Sequence, residues 1–189
     1  MPDGTFDVSV LTPESELLRT PARAIVLRSS DGDLTVLEGH TPIITDVVPG
    51  EVRVDRAEGD PVHMAVHGGY LQVETGQGID GAETRTTRVT LLAATAELAD
   101  QIDVARAERA RAAAQARVEE LRGAAGRTGA AGVGAAGRTG AGGPAQGGAA
   151  QGGAAQGEEG ATHEDLELAE AEAALRRAEV RLQVAGGAR

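Results

Sequence analysis

Cysteine is missing from this 189-residue chain. That excludes a disulfide framework, a thiolate metal site and a cysteine nucleophile. Lysine is missing as well, so every basic residue is an arginine and the Gly-x-x-x-x-Gly-Lys phosphate loop has no candidate. Aromatics reach only 1%, Phe6 and Tyr70 standing alone, so any core is built from Val, Leu, Ile and Ala. The net charge of −11 lies mostly on the first half. A negative body with almost no stacking side chains repels phosphate backbones, which argues against nucleic acid as a partner. No apolar run approaches the ~20 residues needed to cross a bilayer. Met1 to Leu11 lacks the basic and apolar regions of a signal peptide. The expectation is a soluble chain, held at any membrane by another protein. No serine sits in a nucleophile-elbow context, which disfavours a Ser-His-Asp site.

What the sequence does contain changes character along its length. Up to about residue 93, short alternating or apolar segments recur between turn signals, the pattern of a sandwich or barrel. Phe6, Val8 and Val10 alternate with polar residues, as do Leu34 with Val36 and Val52 with Val54. Ala24–Leu27, Val62–Val66, Leu71 with Val73, and Val89–Ala93 complete the set. Alternation turns one face of each strand inward. Asp31-Gly32-Asp33, Pro49-Gly50, Glu58-Gly59-Asp60-Pro61 and Gly68-Gly69 supply the turns. The polar stretch Gly76–Thr87 is expected to form an extended hairpin loop before the last strand. No helical pattern separates the strands, so parallel βαβ units are excluded.

From residue 95 the period becomes helical. Ala107, Ala110, Ala114, Val118 and Leu121 form one stripe, and Asp100 occupies the N-cap position with Asp103 three residues on. A second helix is expected over 164–185, where Leu168, Ala171, Leu175, Ala178, Leu182 and Ala185 make a heptad-like seam. Between them lies low-complexity sequence. Ala-Ala-Gly-Arg-Thr-Gly-Ala occurs at 124–130 and 135–141, and Gln-Gly-Gly-Ala-Ala at 146–150 and 151–155. With Val133 its one large aliphatic residue, this stretch cannot offset the entropy of ordering and is expected to be a flexible linker. The expected fold class is therefore β followed by α. An antiparallel β-sandwich (1–93) leads to a first helix (94–122), a linker (123–163), and a second helix and tail (164–189). The two helices pair as an antiparallel hairpin.

Several stretches together resemble the epsilon subunits of bacterial F-type ATP synthases. Gly32-Asp33-Leu34-Thr35-Val36-Leu37-Glu38-Gly39-His40-Thr41-Pro42-Ile43-Ile44-Thr45 is similar to the signature of their β-domain, departing from it at Glu38, where the family usually has proline. Val8-Ser9-Val10-Leu11-Thr12-Pro13-Glu14, His67-Gly68-Gly69-Tyr70-Leu71-Gln72-Val73 and Val89-Thr90-Leu91-Leu92-Ala93 also resemble it. The likeness covers 5–75, 88–121 and 165–185. It implies a non-catalytic central-stalk subunit, bound to the gamma subunit and the membrane ring of c subunits, at the cytoplasmic face of the cell membrane. The implied role is to help couple proton-driven rotation to ATP synthesis in the alpha/beta head. Its helical hairpin can lie on the β-domain or extend into the head and inhibit ATP hydrolysis. A rival reading from another class is a free-standing β-sandwich binding module with a coiled-coil tail.

The resemblance also marks a candidate ligand site. Ile102-Asp103-Val104-Ala105-Arg106-Ala107 looks like the ATP-binding motif of some epsilon subunits. Glu97 precedes it at the family spacing, and Arg177 and Arg181 match the arginines of the second helix. No cofactor is required, and ATP is implied as a regulatory ligand. Arginine forks suit phosphates, and Asp103 and Arg106 share a helix face. The same residues also read as solvated charges and a local ion pair, and both readings stay open. His63 and His67 lie on a predicted strand and its end, roughly 13 Å apart, too far for one ion. His40, Ile43 and Ile44 lie in a predicted loop (39–45) and are interface candidates, with burial in the core as the alternative for the two isoleucines.

Overall fold

The computed structural model describes residues 4–77, 85–131 and 162–187. Among the described residues nine strands come first: β1 (Phe6–Leu11), β2 (Glu16–Ser29), β3 (Gly32–Leu37), β4 (Ile43–Val47), β5 (Gly50–Arg56), β6 (Val62–Val66), β7 (Gly69–Gln77), β8 (Arg85–Ala93) and β9 (Ala96–Leu98). A 3-10 turn, Ala99–Gln101, leads into α1 (Val104–Ala131), and α2 (His163–Gly187) follows.

The strands pair in the order β1-β8-β7-β4-β2-β5-β6-β9, with β3 on β2 and a further pairing of β1 with β2. All pairings are antiparallel except β1 with β8. The long β2 partners four other strands and so joins the two layers. Period-two alternation puts Phe6, Val8, Val10, Ile25, Val36, Val52, Val54, Leu71, Val73, Val89 and Leu91 into one core. β6 breaks the alternation, since Met64, Ala65 and Val66 are all buried. Met64 and Val66 face the sandwich core, whereas Ala65 joins a second cluster with Ile102, Val180 and Val184. A strand covered on both faces has no need of a polar side.

The helices pair antiparallel. Arg111, early in α1, meets Glu179, late in α2, while Arg117 and Arg122 further along meet Glu167 and Glu172. Of the expected stripe, Ala107, Ala114 and Val118 are buried, Leu121 is partly buried, and Ala110 is exposed. On α2, Ala171 and Ala178 are buried, and a second stripe of Val180 and Val184 turns to the sandwich.

Several boundaries differ from those expected. The sheet continues past 93, because β9 pairs with β6 through Met64↔Leu98, Ala65↔Glu97 and Val66↔Ala96. The first helix starts at Val104, since the 3-10 turn intervenes. Its N-cap is therefore Asp103, whose Oδ1 accepts the Arg106 backbone N–H at 2.9 Å, and not Asp100. The helix runs on to Ala131, into the stretch expected to be linker, as its alanine content favours. The rest of that expected linker, 132–161, lies outside the described residues. The expected loop at 76–87 is narrower at both ends, because Gly76↔Thr86 and Gln77↔Arg85 still pair; 78–84 are outside the described residues. The second helix is capped by a Thr-x-x-Asp box. Thr162 Oγ1 accepts the Asp165 N–H at 3.2 Å, and Asp165 Oδ2 accepts the Thr162 N–H at 2.9 Å.

Candidate functional site

The sandwich, the head of α1 and the tail of α2 meet at one junction. β9 carries Glu97 to the sheet edge, where the α2 residue Arg181 reaches it. Both Arg181 Nε and Nη2 donate to Glu97 Oε1, at 2.9 and 2.6 Å. The two side chains are 25% and 34% exposed, so the pair is only half-shielded from water. The hydrogen bond from Arg181 holds the Glu97 carboxyl below its usual range. Partial burial opposes this, and the charges of Arg181, His67 and Arg106 reinforce it.

His67, at the foot of β6, belongs to the same junction. Neither ring nitrogen has a hydrogen-bond partner, and both are shut off from solvent. Burial pushes its imidazole down to about 4; Arg181 and Arg177 add to that, and Glu97 opposes it.

Four of the five sequence-selected residues of the candidate ATP site act on this junction, and the fifth, Asp103, stands at the start of α1. Glu97 and Arg181 form the ion pair. Arg177 and Arg106 act on the cluster through their charge. Asp103 spends its carboxylate on the helix cap. Arg177 also lines a groove of about 360 Å³ between the helices, with Ala114, Arg117, Glu167, Glu170, Ala171 and Ala174. The small alanines leave the space, and the flanking charges make its rim polar.

His40, Ile43 and Ile44 lie elsewhere on the sandwich. Gly39 N–H donates to Thr87 Oγ1 at 2.8 Å, and Thr75 Oγ1 donates to the His40 carbonyl at 3.0 Å. These bonds pin the segment to β7 and β8. The isoleucines are not in a loop, as the sequence suggested, but open β4. Nor do they act together: Ile43 pairs with Val73, on the core side, whereas Ile44 pairs with Gln72, on the outer side. Ile43 is 37% exposed and Ile44 72%, so neither is buried core. The register Asp46↔Tyr70↔Leu92 sets Tyr70 and Leu92 on the same outer face as Ile44. Tyr70 is 62% and Leu92 47% exposed. Sequence reasoning missed this pair, although one large apolar residue among the polar-side positions of each of β7 and β8 was the available signal.

A β-sandwich is the domain by which the delta/epsilon chains of ATP synthases are defined. The family model described as ATP synthase, Delta/Epsilon chain, beta-sandwich domain, matches residues 5–79. The ATP synthase epsilon chain of Desulforudis audaxviator (strain MP104C) is 38% identical over 118 residues, spanning 62% of this chain and 77% of the relative. That of Priestia megaterium is 36% identical over 115 residues, spanning 61% and 77%. A chain in the cryo-EM structure of the Euglena gracilis mitochondrial ATP synthase superposes with a TM-score of 0.58. It has 18% identity and covers 93% of this chain and 78% of its own length, a likeness of fold. The chain belongs to the ATP synthase epsilon chain family.

Proposed function

We propose that this chain works as a central-stalk rotor subunit. The sandwich binds the gamma subunit and the ring of c subunits, and the hairpin faces the alpha/beta head. It has no catalytic site of its own and takes part in coupling proton flow to ATP synthesis at the cytoplasmic face of the membrane. One observation supports the docking role above others: the outer face of β4, β7 and β8 carries Ile44, Tyr70 and Leu92 exposed together. Such apolar side chains on one sheet face are what a partner covers. Family membership displaces the free-standing-module reading. The test is binding to the gamma subunit by Ile44→Asp/Tyr70→Asp. Binding falls at least tenfold while the melting temperature holds; unchanged binding refutes this face as the gamma surface.

A second reading adds ATP as a regulatory ligand that holds the hairpin down, and by that means limits hydrolysis control to low-ATP conditions. The junction supports it. Arg106, Arg177 and Arg181 all place positive charge on the Glu97 and His67 cluster, and arginine forks suit phosphates; a bound ATP would exchange its own groups for the Glu97–Arg181 contact. Millimolar ATP then raises the melting temperature, and Arg106→Ala abolishes the rise. No rise in the unmodified chain ends this reading and leaves the stalk role untouched.

A further inference from the structure

His67 sits where α2 closes over the sandwich. Its backbone N–H donates to the Thr95 carbonyl at 2.9 Å, which fixes the residue beside β9. Its two ring nitrogens are sealed and unpartnered. An imidazole in that setting stays neutral, because an added proton would be held without water or an acceptor. The charges acting on it come from each side of the junction. β9 supplies Glu97, and α2 supplies Arg177 and Arg181. α1 contributes Arg106, whose charge acts on Glu97. Glu97 is the one anion of this set, and Arg181 already holds it. A protonated His67 competes with Arg181 for Glu97 and adds a cation facing two arginines.

The apolar contact beside this cluster is small. Ala65, Ile102, Val180 and Val184 are its buried members, with Ala99 and Ala185 at the margin. The sandwich core is a separate cluster that includes no helix residue. We infer that His67 is a pH-sensitive latch: neutral, it lets α2 lie against β6 and β9; protonated, it expels the hairpin and leaves the sandwich folded. The inference concerns this chain alone and stands apart from the stalk and ATP readings.

The direction and size follow from linkage. In the docked state the imidazole is pushed down to about 4. Released into water it titrates at about 6.5. A group whose value is lowered by docking favours the docked state fully above the released value. That preference is lost as pH falls from about 6.5 toward about 4. Between pH 7.5 and 5 the docking constant drops by up to about 30-fold.

The absence of cysteine from the chain gives a clean assay. In the full-length Val184→Cys protein, the thiol sits in the small contact and reacts with dithiodipyridine only when the hairpin opens. Its rate, divided by that of an unfolded peptide of the same local sequence at each pH, reports the opening constant. The expected result is a rise of about 30-fold from pH 7.5 to 5, reduced to less than threefold when His67→Gln is added. A flat profile, or the same rise with His67→Gln, overturns the proposal. Should His67→Gln fail to fold, NMR titration of His67 in the unmodified chain decides. Titration near 4 supports the latch, and titration near 6.5 overturns it.

Discussion

Among the described residues, the Glu97–Arg181 pair is the one ion pair that ties α2 to the sheet, and its strength follows from its geometry. Two arginine nitrogens on one carboxylate oxygen, at 2.9 and 2.6 Å, make a short charge-assisted contact. An exposed pair contributes about 0.2–1 kcal/mol. Breaking a fully buried one costs about 3–5 kcal/mol. With side chains 25% and 34% exposed, this pair falls between those limits. After allowance for solvent screening, a coupling of about 1–2 kcal/mol is expected. Arg181→Met keeps the aliphatic stem and Glu97→Gln keeps the shape, so a double-mutant cycle isolates the interaction. Urea unfolding followed by circular dichroism supplies the four free energies. The sign with pH is also set. The folded Glu97 carboxyl lies below its ordinary value. Its contribution is therefore complete above the unfolded carboxylate pKa of about 4.3 and is lost only as pH falls through the folded value. In a His67→Gln background, where no imidazole titrates at the junction, the coupling should be equal at pH 7.5 and 5.5. A coupling under about 0.3 kcal/mol at low salt, or one that disappears between those pH values, would refute this account of how α2 is held.

Other consequences follow from particular contacts. At Gly69, φ is +147° and an added Cβ would lie against the Leu92 carbonyl and the Ala93 backbone. Gly69→Ala should therefore lower stability by about 2–4 kcal/mol in thermal melts, and a loss below about 0.5 kcal/mol would contradict the packing of β7 on β8. Val184→Asp places a charge in the small contact under α2. It should expose α2 amides to hydrogen exchange while those of β5 and β7 keep their protection, and equal loss in both regions would show that the two units unfold together. Thr162→Ala removes the capping box of α2 and should cost about 1 kcal/mol, read from the urea midpoint. The exposed pairs Arg117–Glu167 and Arg122–Glu172 should contribute little, so 1 M salt should shift the helix signal by less than about 1 kcal/mol.

Strands that bury one face were legible in the sequence, because period-two alternation reports that burial directly. Those that escaped did so for identifiable reasons. β9 is only Ala96-Glu97-Leu98, too short to show a period, and exists because β6 offers it an edge. β4 follows Pro42 and a glycine turn, so turn chemistry masked it. The first half of β2 contains Pro21, which demotes a strand on sequence grounds. Here the proline sits next to the register shift at Ala22/Ala24, where the ladder is already irregular, and its carbonyl accepts the Ala57 N–H. The helices were legible as seams, but α2 carries a second buried stripe, Val180 and Val184, because it packs on the sandwich as well as on α1. At the candidate site the charged residues were visible through the resemblance, and their pairing was not. Nothing near His67 in sequence signals its sealed ring nitrogens, or the charges of Arg177 and Arg181, more than a hundred residues away, that act on it. Asp103 was legible only through the resemblance, and its bond to the Arg106 N–H, which caps α1, was not.

The most direct test of the stalk assignment is recovery of partners from native membranes by the tagged full-length chain. The account predicts that the gamma subunit and the alpha/beta head come with it in stoichiometric amounts, and that Ile44→Asp/Tyr70→Asp loses them. A chain that elutes alone as a folded monomer from membranes that contain an intact ATP synthase would contradict it.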